Sequence, residues 1–367
     1  MNTLQSEGKA RLISLDAMRG FTIAAMILVN FPGDEHNVYA PLRHTVWNGL
    51  TPTDLIAPFF LFIVGISIVL AYSKRTADPD KELYKKIVIR SIKIFAVGIF
   101  LNLLPDFNFS ELRYTGTLPR IAIVFLFCAL LYLNTSFVQQ VWTGFIILMG
   151  YWLAMTLIPT PGQGKVMLEP GVNLAAWIDS KFLPGKMWQG TWDPEGILST
   201  FPSIVSGISG LLAGHLLISN RSRENKVIYL MVIGLTSAAA GYVWGLTFPV
   251  NENLWTSSFV LVTSGMAALV LGAAYFTVDI RGLSWGTQPG IIFGANAIAA
   301  YVLADILALI FYRLPIAGQP LNVHGVNALH SVGLSLKLSG MFYSLLFVCI
   351  NFIPALILYR KKVFIKL

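Results

Sequence analysis

An apolar run of about 20 residues, the length a helix needs to cross a ~30 Å hydrocarbon core, recurs ten times along this chain. The runs fall near 13–32, 53–73, 85–104, 118–134, 136–159, 196–219, 226–248, 255–277, 288–312 and 335–359. Within a bilayer every backbone N–H and C=O must be paired inside the protein, so runs of this length fold as helices. Charged residues make up only 12% of the 367 positions, against about 25% in ordinary soluble domains. A soluble enzyme, a nucleic-acid binder and a disordered chain are excluded. The expected fold class is all-α: one polytopic bundle of about ten transmembrane helices, forming a single domain over 1–367.

The net charge of +8 would suggest nucleic acid in a soluble domain, but here it reflects Lys and Arg held in cytoplasmic loops. With the amino terminus inside, 18 of the 26 basic residues fall on the inner side and 8 on the outer. Lys74-Arg75, Lys85-Lys86-Arg90, Arg221-Arg223-Lys226 and Arg360-Lys361-Lys362 are all inner clusters. Both termini are therefore expected in the cytoplasm, with 1–12 as a short tail. The first run follows Lys9, Arg11 and Arg19 much as a signal peptide would, yet nine further spans and the pair Asp16/Arg19 favour an uncleaved first helix. The connections 33–52, 160–195 and 313–334 face outward. Loops of such length are binding elements or disordered, and Trp177, Trp188 and Trp192 argue against disorder. Cys128 and Cys349 both sit in apolar runs, so neither a disulfide framework nor a metal cluster is implied.

Ionisable groups within spans are costly and face a bundle interior or an aqueous cavity. Asp16 and Arg19, three apart on one helix turn, read either as a local ion pair or as the lining of an inner vestibule for an anion. Asn30, near the outer end of the first span, can cap that end or donate to a bound carbonyl. His44 and Asp54 bracket a polar stretch containing Trp47-Asn48-Gly49-Leu50-Thr51. Thr53 or Asp54 can N-cap the second span. A histidine at the boundary has a pKa near neutrality and can serve as general base, although a lone histidine is more often structural. Arg120 reads as an arginine snorkelling to the interface. Asp305, deep in the ninth span with no basic residue one turn away, calls for a partner from another helix. His36, His324 and His330 lack metal-ligand spacing, and no P-loop, GxGxxG or GxSxG occurs.

Taken together, these blocks resemble the membrane acetyltransferases typified by lysosomal heparan-α-glucosaminide N-acetyltransferase. Ser14-Leu15-Asp16-Ala17-Met18-Arg19-Gly20 is similar to that family's S-x-D-x-x-R-G, and Asn30 to its V-N motif. His44 through Asp54-Leu55 resembles its H-x-x-W-N-G-L-T-x-x-D-L signature. Gly116-Thr117-Leu118-Pro119-Arg120, Asp193-Pro194-Glu195-Gly196, Gly294-Ala295-Asn296-Ala297 and Tyr359-Arg360-Lys361-Lys362 follow in the family's order. Two features depart from it. The large extra lumenal region is missing, and the late His-Glu pair aligns with Ala304-Asp305. The short form resembles bacterial inner-membrane proteins labelled N-acetylglucosamine-related transporters.

The resemblance implies transfer of an acetyl group from cytosolic acetyl-CoA to the amine of glucosamine, or of a terminal glucosaminide, at the outer face. His44 is implied as catalytic residue beside Asn30, with Asp305 orienting His44 or binding the amine. Asn48, Asp54, Arg120 and Trp47 are expected to bind the sugar. Arg19, Lys74, Arg75, Arg281 and Asn296 are expected to hold the donor, and no metal is called for. The expected partners are the amino sugar, membrane lipid and a second copy of the chain, with no nucleic acid; the expected location is a bacterial inner membrane. A proton-coupled amino-sugar transporter using Asp305 and an O-acyltransferase for envelope glycans are the alternatives.

Overall fold

The computed structural model describes residues 12–75 and 79–365. The expected tail up to residue 11, including Lys9 and Arg11, lies outside them. The described residues form helices α1 (Ile13–Asn30), α2 (Ile56–Tyr72), α3 (Lys81–Leu103), α4 (Thr117–Asn134) and α5 (Phe137–Leu157). A short α6 (Leu174–Phe182) precedes α7 (Ile197–Ile218), α8 (Arg223–Trp244) and α9 (Ser257–Ala274). The chain ends with α10 (Gln288–Ala295), α11 (Ala297–Ala308), α12 (Leu321–Ser331) and α13 (Leu336–Arg360). Eight of these helices are long and apolar enough to cross a membrane, namely α1, α2, α4, α5, α7, α8, α9 and α13. The protein is an all-α multi-pass membrane protein.

Two of the ten expected spans differ from the rest. The third, α3, carries Lys81, Lys85, Lys86, Arg90 and Lys93 and is too charged to stand as an apolar span. It packs instead along α4, where the Ser91 hydroxyl donates to the Ala122 carbonyl (2.9 Å). The ninth, expected as a continuous helix over 288–312, bends by 84° between α10 and α11. Asn296 occupies the break. Its Nδ2 donates to the Val363 carbonyl (3.0 Å) and its Oδ1 accepts from the Ile365 N–H (2.8 Å). A break in a membrane helix needs such partners for its freed polar groups, and the C-terminal segment provides them.

The outer connections are also more ordered than irregular loops. Residues 160–195 contain α6, and 313–334 contain a hairpin of β1 (Pro315–Ile316) with β2 (Gln319–Pro320) followed by α12. Because the spans alternate in direction, 31–55, 158–196 and 245–256 gather at one end of the bundle, here the loop end. The starts of α1, α3 and α8 gather at the other, here the basic end.

Lipid tails do not drive helices together by the hydrophobic effect, so close packing of small residues holds membrane bundles instead. Gly65 of α2 and Gly210 of α7 meet backbone to backbone: a Cβ on Gly210 would stand 2.0 Å from the Phe62 carbonyl oxygen. Gly20 of α1 faces α10 in the same way, 1.7 Å from the Gly290 carbonyl oxygen. Gly210→Val therefore has to push α7 off α2. Overpacking of this kind costs about 1–3 kcal/mol or more, and the expected outcome is a clear drop in melting temperature of the detergent-purified protein relative to Ser209→Ala.

Candidate active site

At the loop end, Pro52 opens a 3-10 turn, Thr53–Leu55, that leads into α2. Asp54 within this turn does not cap α2. Its Oδ2 accepts from the Thr51 N–H (2.7 Å), while its Oδ1 accepts from the Thr45 N–H (3.3 Å) and faces His44 Nδ1 (2.9 Å). The carboxylate is fully buried. The preceding turn depends on Gly49, whose φ of +121° is a conformation side chains disfavour. That geometry directs the Gly49 N–H to the Val250 carbonyl (2.8 Å). Asn48 Oδ1 accepts from Asn251 Nδ2 (3.1 Å). These two contacts seat the short connection 249–254 against the Trp47–Thr51 stretch.

That connection brings in Glu252, which the sequence reading did not single out. Glu252 Oε2 lies 2.7 Å from the same His44 Nδ1. Two carboxylates thus hold one imidazole nitrogen, and Nε2 of the half-exposed ring is left for a ligand. Burial works to lower the His44 pKa, but Asp54 and Glu252 outweigh it and raise the value from 6.5 to about 10. Burial pushes Glu252 up from 4.5 to about 7, against the hydrogen bond from His44. The three donor atoms fall within 4.8 Å of one another. Their direct contacts make the cluster a proton-sharing one: the imidazole is fixed through Nδ1 and its cation is stabilised by the two carboxylates. A general base needs this pairing of base and orienter.

The other outer residues frame this cluster. Trp47 Nε1 donates to the Leu168 carbonyl (3.0 Å), and its ring meets Trp192 edge-on at 5.2 Å. Arg120 is buried rather than snorkelling. A cation placed there has to be satisfied internally: Nη2 donates to the Pro194 carbonyl (2.7 Å) and Ser199 Oγ (2.6 Å), and the guanidinium lies 4.8 Å from the Trp255 ring centre. Arg120 thereby fastens the Asp193–Gly196 loop to α4. Arg113 grips the same loop through Asp193 (2.8 and 2.6 Å) and Glu195. Asn30 and Thr117 both meet the Tyr301 hydroxyl, and no hydrogen bond joins Asn30 to His44 among the described residues. Asp305 forms no ion pair or hydrogen bond among the described residues, and the imidazole is oriented by Asp54 and Glu252 in its place.

At the basic end a second feature opens, a cavity of about 870 Å³ between α1, α2, α3, α4 and the α10–α11 break. Arg19, Lys86, Arg90 and Lys93 line it with Asp16, and Ile63, Ile68 and Phe125 give it apolar walls. It reaches Ile121, about one turn into α4 from the loop end. Of the five residues expected to hold a donor, Arg19 and Asn296 line this space, whereas Lys74, Arg75 and Arg281 do not. Arg281 lies 5.1 Å from the Phe276 ring centre instead. Apart from Arg19 of α1, the basic residues of the cavity, Lys86, Arg90 and Lys93, come from α3. Asp16 and Arg19 form the local ion pair, Oδ1 to Nη2 at 2.6 Å, with Arg19 Nε donating to the Gly294 carbonyl (3.0 Å); both also line the cavity.

The linked pKa values give a test of the His44 cluster. His44 is raised, so its contacts stabilise the fold fully below about pH 6.5 and are lost as pH rises through about 10. Glu252 is also raised, so ionising it in the folded protein lowers stability between about pH 4.5 and 7. Melting temperature is expected to fall as pH rises across both windows. Glu252→Gln should remove the lower window and move the His44 titration, followed by histidine NMR, from about 10 toward 6.5. An unshifted histidine would refute the part given to Glu252.

Set against known proteins, residues 11–231 match the family described as "Heparan-alpha-glucosaminide N-acetyltransferase, catalytic". The human protein of that name (Homo sapiens) is 29% identical over 422 aligned residues, which take in 97% of this chain and 60% of the human one. The mouse protein (Mus musculus) is 28% identical, covering 81% of this chain and 54% of its own. The chain thus spans somewhat over half the length of these relatives.

Proposed function

The chain belongs to the heparan-α-glucosaminide N-acetyltransferase family, and from that premise we propose that it moves an acetyl group from acetyl-CoA to the amine of glucosamine or of a terminal glucosaminide. The observation that carries this reading is the imidazole of His44, held at Nδ1 by two carboxylates and open at Nε2. His44 carries its proton below about pH 10, so it acts from the neutral form. Nε2 of the deprotonated ring takes the amine proton as the N–C bond forms and the thioester C–S bond breaks, releasing CoA thiolate. Turnover is expected to rise with pH toward about 10. Asp54 and Glu252 stabilise the imidazolium while that charge exists. Trp47 and Trp192 give the sugar ring an apolar face beside the histidine.

The donor fits the basic cavity by its chemistry. Phosphates are met by Lys86, Arg90, Lys93 and Arg19, and an uncharged pantetheine arm by the apolar walls that run toward Ile121. The positive-inside distribution supports a cytoplasmic mouth with His44 at the outer face, and the membrane proposed is a bacterial inner one. Acyl transfer across the bilayer then requires no movement of the sugar.

A second reading has its own support. The 84° break at Asn296, in the same span as Asp305, is the kind of discontinuity that marks binding sites in secondary transporters, so a proton-coupled amino-sugar carrier is the alternative. Purified protein given acetyl-CoA and glucosamine, with mass-spectrometric detection of N-acetylglucosamine and CoA, separates the two. Wild type is expected to form both products and His44→Ala neither, with the variant still folded. Sugar binding without CoA release would favour the carrier. Product formation by His44→Ala would refute the role of the histidine.

Donor binding is tested on α3. A charge-assisted hydrogen bond is worth about 1.5–3 kcal/mol, so Arg90→Gln is expected to raise the KM for acetyl-CoA by about tenfold or more. The KM for the sugar should stay near wild type. Equal effects on both would refute the assignment of the cavity to the donor.

A further inference from the structure

A second large cavity, of about 790 Å³, lies between α5 and α8 on a floor of α7 and α9. It shares no lining residue with the basic cavity and includes none of the residues around His44. The gap exists because α8 packs on α9 and α5 on α7, with no substantial packing of α5 against α8. Only 28% of α5 and 22% of α8 is buried, so in the membrane both helices border lipid. Along most of its length the lining is apolar, with Val141, Phe145, Leu212, Ile233 and Leu261 among its walls.

The end near the start of α8 differs. Arg221 lines it with its guanidinium 4.5 Å from the Tyr229 ring centre and Nη1 donating to the Tyr229 hydroxyl (3.1 Å). No carboxylate pairs with Arg221 among the described residues. His215 lines the same end, its Nε2 3.1 Å from Gln140 Oε1. Beside it, Lys226 Nζ donates to the Leu217 carbonyl (2.8 Å). An apolar slot ending in one unneutralised cation, Arg221, at the basic end is complementary to one ligand chemistry: a hydrocarbon chain carrying an anionic head. Basic pockets between membrane helices recognise lipid phosphates on these terms.

From Tyr229 to Trp244 the slot follows 15 residues of α8, about 22 Å at 1.5 Å per residue. Apolar along that length and closed by Arg221 at the basic end, the slot matches an acyl chain beneath an anionic head. We propose that this cleft is a binding site for an anionic glycerophospholipid, with an acyl chain between α5 and α8 and the phosphate on Arg221. The site is independent of the acetyl-transfer reading.

The test uses the full chain in nanodiscs holding equal amounts of phosphatidylglycerol and phosphatidylcholine, released into native mass spectrometry. One retained phosphatidylglycerol per chain is expected, preferred over phosphatidylcholine by about fivefold, the effect of one basic contact with an anionic lipid. Arg221→Gln, an exposed substitution, should abolish the preference while leaving a lipid bound. Val141→Trp, which fills the slot from an exposed position, should abolish retention altogether. Circular dichroism checks that both variants are folded. Equal retention of the two lipids by wild type would overturn the proposal, as would undiminished lipid in Val141→Trp. So would a lipid-free dimer with α5 and α8 buried at its interface.

Discussion

His44 offers one ring nitrogen to two carboxylates that reach it from very different distances along the chain. Asp54 is ten residues away and Glu252 lies 208 residues away. A buried carboxylate is expensive unless it is paired or hydrogen-bonded, and each member of this cluster supplies what the others need. Asp54 is completed by the Thr45 and Thr51 amides, and Glu252 by the imidazole. The arrangement holds only while the 249–254 connection stays against the Trp47–Thr51 stretch. The Gly49–Val250 and Asn48–Asn251 hydrogen bonds perform that docking, which explains why a tryptophan, an asparagine and a glycine crowd together at a membrane boundary. Trp255 adds to it in a left-handed backbone conformation (φ +51°), one that costs a bulky residue about 1–3 kcal/mol. Its ring lies over Arg120, and its indole N–H donates to Ser206 (3.1 Å).

The bundle beneath follows the physics of an apolar solvent. Close approach at Gly65/Gly210 and Gly20/Gly290 brings backbones together where side chains would hold them apart. Polar side chains within spans satisfy themselves locally: Thr22, Thr263 and Ser344 each donate to a carbonyl four residues earlier. Where a helix breaks, at Asn296, the missing partners come from the C-terminal segment. Phe364 and Ile365 of that segment in turn wall the basic cavity, so the break and the cavity are parts of one arrangement.

The elements legible in the sequence were those set by local pattern. Length and hydropathy gave the spans to within a few residues, as for α2 and α4, since a bilayer imposes one requirement on every crossing segment. Period alone cannot reveal a helix broken at Asn296, because both halves are apolar. Nor does it separate α3 from a true span: that helix's charges are tolerated by the cavity they line, a tertiary fact. His44 and Asp54 stood out because they are close in sequence. Glu252 did not, since its role arises from a contact across most of the chain; the signal available was that it is the one carboxylate in the connection 249–254. Arg120 was misread for the same reason, its partners Pro194 and Ser199 being more than 70 residues away. Asp305 was read as needing a partner, and none is found among the described residues.

The two ends of the bundle are closer than a bilayer's thickness suggests. The basic cavity begins among Lys86, Arg90 and Arg19 yet extends to Ile121, the residue after Arg120. Arg120 is tied to the Asp193–Gly196 loop and packs on Trp255, whose amide bonds to the Glu252 carbonyl (2.9 Å). From Arg120, the neighbour of Ile121 in the cavity wall, two consecutive contacts therefore lead through Trp255 to Glu252, whose carboxylate holds His44. On α1 the same separation is spanned by Arg19, which lines the cavity, and Asn30, about 16 Å further along the helix. A carrier has to open a passage wide enough for a sugar through this partition. An acyltransferase has only to pass a thioester arm through it, and a cavity that combines basic side chains from α1 and α3 with apolar walls reaching Ile121 suits that smaller demand.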